Sequence, residues 1–260
     1  MQLQESLAEL ETRGLGLAAI SYDAPETLAA FAAKRGITFP LLSDRGSATI
    51  RRYGILNAGA SGRAAGIPHP GTFVLDARGV VVSRSFEDRY QERASAASLA
   101  QQVANTQKPG GRRLETPHLV LTTSSSDESA AIGTRISLLL DIAPKPKMHV
   151  YAPEQKELIP ISLSLDADPS FTLHQPRFPR AETYFFEPLG ETQLVYSRPF
   201  RIVQDVTLAV TRAMRERAGG AGASITITGT LRYQACDDKV CYMPQSLPVS
   251  WTIGVKPLAR

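Results

Sequence analysis

A change of pattern on either side of residues 106–116 restricts the fold of this chain more than any other feature. Before this segment, runs with helical periodicity alternate with strand-like runs, whereas after it nearly every apolar run is short and bounded by turn residues. Of the 18 prolines, four precede the segment and thirteen follow it, and proline is unfavourable inside helices. The 260 residues therefore predict an α/β domain over 1–107, a polar linker at 108–116 and an all-β sandwich over 117–260.

The predicted elements of the first half alternate between helices and strands. Asp23 and either Ser43 or Asp44 precede two of the helices and are predicted to cap them. Residues 76–79 read DARG, which is typical of a hairpin turn. The predicted helices span 3–13, 25–35, 44–53 and 93–105, and the predicted strands span 15–22, 37–42, 72–75 and 80–86.

The second half is predicted to consist almost entirely of strands. Residues 206–217 could form a helix by composition, but 215–222 are interpreted as the mobile tip of a hairpin. The clearest predicted strands span 119–123, 134–142, 148–151, 161–165, 200–203, 224–233 and 247–255.

Charge and hydropathy exclude several classes of function. The 29 basic and 25 acidic residues give a formal net charge of +4, too small a surplus to predict nucleic-acid binding. No apolar run approaches the roughly 18 residues that a membrane span needs, and the first residues lack the basic and then apolar pattern of an export signal. No cofactor is predicted, because no phosphate-binding or cofactor motif is present.

The two cysteines, Cys236 and Cys241, lie in one short stretch that follows a predicted strand over 224–233. Strict alternation along that strand places Cys236 on its polar face. A zinc site, a structural disulfide and a reversible redox pair are three possible interpretations. The zinc site is the least favoured, because none of the four histidines has a paired spacing near the cysteines. Local charge does not separate the other two, since Asp237 and Asp238 raise a thiol pKa whereas Lys239 lowers it.

The stretch Tyr233–Pro244 (YQACDDKVCYMP) resembles the active-cysteine hairpin of the N-terminal periplasmic domain of DsbD-type thiol:disulfide interchange proteins. Residues 148–153 (MHVYAP) resemble an early aromatic strand of that family, and 184–190 (YFFEPLG) fall where its cap loop lies. Two departures are the four residues between the cysteines, where the best-known members have five, and the Pro-Leu pair at 188–189, where the cap usually carries an aromatic.

This resemblance implies an immunoglobulin-like sandwich, a periplasmic location and a redox role for the cysteine pair. Cys241 is expected to form the mixed disulfide and Cys236 to resolve it, with a loop over 183–190 covering the pair. The implied partner is a thioredoxin-like protein or a membrane thiol–disulfide protein. The residues expected to shield the cysteines are Tyr151, Tyr184, Phe185, Phe186, Pro188 and Tyr242.

The first half resembles the AhpC/TSA-type redoxins of the thioredoxin superfamily over 14–22, 31–42, 46–54 and, most specifically, 66–79 (GIPHPGTFVLDARG). The resemblance implies a thioredoxin-like fold and makes Pro70 a candidate cis-proline. Residues 1–235 contain no cysteine, so peroxide reduction is not expected. The half is interpreted as a truncated redoxin domain whose cysteine-bearing segment is expected upstream of residue 1; the alternative is a complete scaffold without redox chemistry.

These observations together predict a thiol–disulfide oxidoreductase that acts through Cys236 and Cys241. The alternative is a non-catalytic interaction module in which the two cysteines form a structural disulfide beside a degenerate redoxin scaffold. A cytoplasmic location is the alternative to the periplasm, because the location follows from the resemblance alone.

Overall fold

The computed structural model of the protein describes residues 2–86, 93–101, 111–156, 158–186 and 190–258. The chain forms two compact units, Met1–Ala104 and Asn105–Leu258. No helix in these described stretches is long and apolar enough to cross a membrane.

The first unit is an α/β structure. Strands β1 and β2 pair in parallel and are joined by helix α3, whereas β3 and β4 form an antiparallel hairpin. Its elements are α1 (Gln2–Glu5), α2 (Leu7–Thr12), β1 (Ala19–Ser21), α3 (Pro25–Arg35), β2 (Leu41–Ser43), α4 (Ala48–Arg52), β3 (Gly71–Leu75), β4 (Val81–Phe86), β5 (Arg93–Ala94) and α5 (Ala96–Gln101).

The helix ends of this unit follow the sequence only in part. Helix α3 begins with Pro25 and ends at Gly36, which adopts the left-handed conformation that favours glycine. Asp23 does not cap α3, because its carboxylate instead accepts a hydrogen bond from the Ser21 hydroxyl. Asp44 does serve α4, since its carboxylate accepts the amide N–H groups of Thr49 and Ile50.

The interpretation of Pro70 as a cis-proline is wrong, because no described peptide bond is cis. The trans form of an X–Pro bond is favoured by about 0.5–1 kcal/mol. The segment before Pro70 is joined to the preceding chain by a bridge between Leu56 and Pro68 and by a hydrogen bond from the His69 amide to the Ile55 carbonyl.

The described residues of the second unit form three sheets and one helix. Sheet A has the order β12-β15-β9-β7-β6, sheet B has the order β11-β16-β18-β8, and sheet C has the order β13-β14-β10-β17. The elements are β6 (Arg112–Glu115), β7 (Leu119–Ser125), β8 (Ser129–Ala131), β9 (Thr134–Pro144), β10 (His149–Tyr151), β11 (Ser162–Leu165), β12 (Phe171–Leu173), β13 (Glu182–Phe186), β14 (Glu191–Tyr196), β15 (Phe200–Leu208), α6 (Arg212–Ala218), β16 (Ser224–Tyr233), β17 (Ala235–Cys236) and β18 (Gln245–Lys256).

Sheets A and B pack around one apolar core, to which each strand contributes alternate residues. Along β16 every second side chain is buried, which confirms the alternation predicted from the sequence. Trp251 on β18 lies in this core, and its indole N–H donates to the Ser124 carbonyl across the sandwich at 2.8 Å. The unit is an immunoglobulin-like β-sandwich, as expected.

Two segments of this unit differ from the sequence-based expectation. Residues 112–115 were expected in the linker but form β6, which pairs with β7 at the edge of sheet A. Residues 212–218 form helix α6 rather than a hairpin tip. Thr211 caps this helix by accepting the Met214 amide, and Met214 and Ala218 are buried in the core, so tertiary packing stabilises the short helix.

Candidate redox-active site

Sheet C contains Cys236 on its strand β17, and its two faces have different surroundings. Val150 of β10 and Ala235 of β17 face the main core. Their strand neighbours point the other way, because side chains alternate across a strand. On this outer face Cys236 lies directly opposite His149, and Tyr151 lies opposite Val195. The outer face therefore groups the cysteine with aromatic side chains.

Cys236 and Cys241 form a disulfide, with their Cα atoms 4.1 Å apart. The bond that the spacing predicted is confirmed. The predicted polar environment of Cys236 is wrong, because the residue is only 2% exposed. The strand β16 ends at Tyr233 in sheet B, and the chain continues from Ala235 in sheet C. Side chains alternate between the two faces of a sheet only within one continuous strand. The change of sheet after Tyr233 therefore places Cys236 at a buried position.

The loop between the cysteines is closed by Asp237. Its carboxylate accepts the amide N–H groups of Lys239 and Val240, both at 2.8 Å, and the Tyr242 hydroxyl at 2.8 Å. These hydrogen bonds, led by that from Val240, lower the pKa of Asp237 below its ordinary value of 3.8. The tight turn holds Cys241 in an antiparallel bridge beside Cys236.

The two cysteines differ in their accessibility. Cys236 is buried against Tyr151 and Val195, whereas Cys241 is exposed. The side chains of Val240 and Met243 beside Cys241 are 53% and 79% exposed. The disulfide is therefore bordered by exposed apolar residues on the Cys241 side.

Tyr151 touches both sulfur atoms. Its hydroxyl lies 3.2 Å from Sγ of Cys236 and 3.3 Å from Sγ of Cys241. Burial raises the pKa of Tyr151 above its ordinary value of 10.0, and the nearby Tyr184 adds to this shift. The hydroxyl thus remains protonated over the neutral range and can donate a hydrogen bond to a sulfur that becomes negatively charged.

The segment expected to be a cap loop is largely a strand. Residues 182–186 form β13 and pair with β14, so successive side chains point to opposite faces. Tyr184 packs against the buried cluster of Tyr151, Val195 and Cys236. Phe186 lies on the same side of the strand, with its ring centroid 6.5 Å from that of Tyr184. Phe185 points the other way and is 58% exposed, so the expectation that it shields the cysteines is wrong. Pro188 lies outside the described residues.

Tyr242 and His149 complete the surroundings of the loop and the disulfide. The ring of Tyr242 packs on that of His118, with centroids 4.5 Å apart. His149 was not among the residues singled out from the sequence, yet it is 5% exposed and packs on Tyr184 and Tyr151 at 4.9 and 5.7 Å. Its position two residues before Tyr151 in a predicted strand was the available signal, because such residues share a face.

Residues 119–250, slightly more than half of the chain, match the family model for the N-terminal region of the thiol:disulfide interchange protein DsbD. The chain belongs to the DsbD N-terminal family. Residues 1–84 match the family model for the AhpC/TSA family, so the DsbD-type sandwich follows a region that is similar to that family.

Curated relatives are similar to part of this DsbD-family chain. Alkyl hydroperoxide reductase E of Mycobacterium bovis and that of Mycobacterium tuberculosis are each 39% identical over 82 residues. These matches cover 31% of this chain and 50% of each relative, so the chain spans about half the length of the curated relatives it matches.

Solved structures resemble the DsbD-type region at low sequence identity. The N-terminal periplasmic domain of ScsB from Proteus mirabilis is 14% identical, with a TM-score of 0.37 over 53% of this chain and 49% of that chain. The reduced DsbD N-terminal domain of Neisseria meningitidis is 19% identical, with a TM-score of 0.31 over 45% of this chain and 81% of that chain.

Proposed function

We propose that this protein exchanges electrons with a partner dithiol or disulfide through the Cys236–Cys241 pair. The observation that carries the proposal is the unequal exposure of the two cysteines in one disulfide, with Cys236 buried and Cys241 exposed. A disulfide with one accessible sulfur can be opened by a protein thiolate without unfolding of the sandwich. The match to the DsbD family supports the same chemistry.

The exchange begins when a partner thiolate attacks Sγ of Cys241. A bond forms between the partner sulfur and Cys241, the Cys236–Cys241 bond breaks, and its electron pair remains on Sγ of Cys236. The Tyr151 hydroxyl, 3.2 Å away, then donates a hydrogen bond to the Cys236 thiolate. A second partner thiolate attacks the partner sulfur of the mixed disulfide and releases Cys241, which leaves a dithiol in the sandwich and a disulfide in the partner.

The apolar rim around Cys241 supports a protein partner. Val240 and Met243 expose apolar side chains beside the reacting sulfur, and exposed apolar patches are typical of interaction sites. Tyr151 and Tyr184 shield the buried side of the disulfide from water. The partner we propose is a thioredoxin-like or membrane thiol–disulfide protein, and the compartment is the periplasm, where disulfides persist.

The alternative function is a binding module with a structural disulfide. Such bridges have reduction potentials below about −300 mV, whereas exchangeable pairs are less negative. The loop that this bridge closes is short, so in the chain-entropy account it adds only about 2 kcal/mol of stability. A potential less negative than about −300 mV favours exchange over the structural role.

Trapping of the mixed disulfide tests the roles of the two cysteines. The full chain with Cys236→Ser is expected to form a stable mixed disulfide with a thioredoxin-like protein that carries a Cys-x-x-Ser site activated as a mixed disulfide with thionitrobenzoate. The exposed Cys241 displaces thionitrobenzoate from the partner cysteine, and no resolving thiol is present to open the product. The matched variant Cys241→Ser is expected to trap much less on a non-reducing gel. Equal trapping by both variants, or none by either, contradicts the assignment.

A further inference from the structure

His149 is a buried histidine that faces one of the reacting cysteines. It lies opposite Cys236 in the antiparallel pair of β10 and β17. Directly opposed residues have Cβ atoms about 4.5–5.5 Å apart and point to the same face. The side chain is 5% exposed, and its Nε2 has no hydrogen-bond partner among the residues that the structure describes.

An unpartnered buried ring nitrogen is costly, because burial removes its hydrogen bonds to water without replacing them. A hydrogen-bond partner for Nε2 of His149 is therefore expected in the reduced protein. The disulfide has no proton to donate, whereas the thiol that Cys236 becomes on reduction has one. In the neutral tautomer that carries its proton on Nδ1, Nε2 is thus an acceptor whose donor forms only when the disulfide opens.

The groups around His149 favour its neutral form in the oxidised protein. Burial lowers the pKa of His149 below its ordinary value of 6.5, against the opposing attraction of Asp237. Tyr184 on β13 and Tyr151 on its own strand are the titratable groups that pack against the ring. Glu182, on the same face of β13 as Tyr184, is engaged in an ion pair with Arg198.

We propose that Nε2 of His149 accepts the proton of the Cys236 thiol in the reduced protein and so prepares Cys236 to close the disulfide. This inference rests on the proposed exchange at the same pair. The proton passes from Sγ of Cys236 to His149, and the Cys236 thiolate attacks Sγ of Cys241 in the mixed disulfide. The Cys236–Cys241 bond forms, the bond from Cys241 to the partner breaks with its electron pair on the partner sulfur, and the imidazolium returns the proton to that sulfur. A mixed disulfide and a thiol thereby become an intramolecular disulfide and a partner thiol.

The test uses the full chain with Cys241→Ser, in which Cys236 is the single cysteine. The titration of its thiol is followed by the ¹³C chemical shift of Cys236 Cβ between pH 5 and 11. Adding His149→Gln is expected to raise the titration midpoint by about one unit or more, because the Cys236 thiolate loses the adjacent imidazolium that stabilises its negative charge.

His118→Gln in the same background is the matched control. His118 is 9% exposed and also has a ring nitrogen, Nδ1, without a partner in the described part of the chain, but it packs on Tyr242 and does not lie opposite Cys236. This variant is expected to leave the Cys236 midpoint unchanged. An identical midpoint in the parent and in the His149→Gln chain, or an equal rise in both histidine variants, overturns the proposal.

A second measurement keeps His149 in place and covers the case in which its substitution prevents folding. The ¹⁵Nε2 shift of His149 is followed in Cys241→Ser and in the Cys236→Ser/Cys241→Ser chain. In Cys241→Ser, the ¹⁵Nε2 shift is expected to change in a step at the same pH as the Cys236 titration. Absence of this step in Cys241→Ser contradicts the proposal. Neither readout needs a partner, so failed trapping through Cys241 together with a raised midpoint would reject the exchange function while sustaining the role of His149.

Discussion

Cys236 and Cys241 are five positions apart, yet their surroundings give them different chemistry. Cys236 is enclosed by Tyr151 and Val195, whereas Cys241 follows an exposed turn. In the proposed exchange, the attacking thiolate reaches Cys241, and the negative charge then appears on the buried Cys236. A buried negative charge needs a hydrogen-bond donor. The Tyr151 hydroxyl is the group that touches both sulfurs and can supply this bond.

Tyr151→Phe is expected to slow the opening of the disulfide by dithiothreitol about tenfold. The reason is that a hydrogen bond to a charged group contributes about 1.5–3 kcal/mol, and a barrier change of ~1.4 kcal/mol is a factor of ten in rate. The rate is measured by acid quench and alkylation at a fixed pH near 7. Tyr233→Phe is the control, because its buried hydroxyl contacts Thr116 and no sulfur. Equal rates in the two variants would show that Tyr151 only packs against the site.

At the scale of elements, the sequence predicted the regular strands better than the segments around the disulfide. The long strands β9, β16 and β18 were recognised within a few residues, because each follows a continuous apolar or alternating pattern. The strand β13 was mistaken for a loop, since its three consecutive aromatic residues suggested a covering surface. Its partners on β14 lie only 5 to 13 positions further along the chain, so the feature that was missed is a local hairpin.

The change of sheet between Tyr233 and Ala235 is the element-scale feature that creates the site. It removes Cys236 from the exposed face of sheet B and places it on β17, opposite His149. The sequence carries no strong break at this point, so the alternation appeared to continue. Only the pairing of β17 with β10 shows that the strand has ended.

The turn between the cysteines is expected to depend on the ionised form of Asp237. The folded pKa of Asp237 is lowered, so the contribution of its carboxylate is present above the unfolded pKa and is lost as the pH falls through the folded pKa. The amide proton shifts of Lys239 and Val240 should titrate together, with a midpoint below 3.8. In Asp237→Asn this acid-range step should disappear. Titration of these amides at or above 3.8 would indicate that the hydrogen bonds to the carboxylate do not persist in solution.

At the scale of the whole molecule, the redox pair belongs to a unit with its own core. One buried apolar cluster draws residues from all three sheets and from α6, and every member lies between Leu119 and Val255. The disulfide closes only the short loop between β17 and Cys241 at the margin of this core. The sandwich is therefore expected to retain its fold in both redox states, as the proposed exchange requires.

A fragment of residues 111–258 is expected to unfold cooperatively in both the oxidised and the reduced state. Reduction should lower its free energy of unfolding by about 2 kcal/mol, because little loop entropy is restored to the unfolded chain. Urea unfolding followed by the fluorescence of Trp251, which is 4% exposed, measures this change. A reduced fragment without a cooperative transition would favour the structural role of the disulfide. This experiment also tests the proposed division into domains near residues 107–117.

Local sequence patterns were sufficient to predict the class of each half and the proximity of the two cysteines. Periodicity distinguishes helices from strands, and two cysteines five positions apart on either side of a turn are close in any hairpin. Tertiary structure alone decided which sulfur is buried, which tyrosine touches both, and that His149 lies opposite Cys236. These relations depend on which strands pair across sheet C. Strand pairing joins residues 40 to 90 positions apart, and a local pattern contains no information about such distant partners.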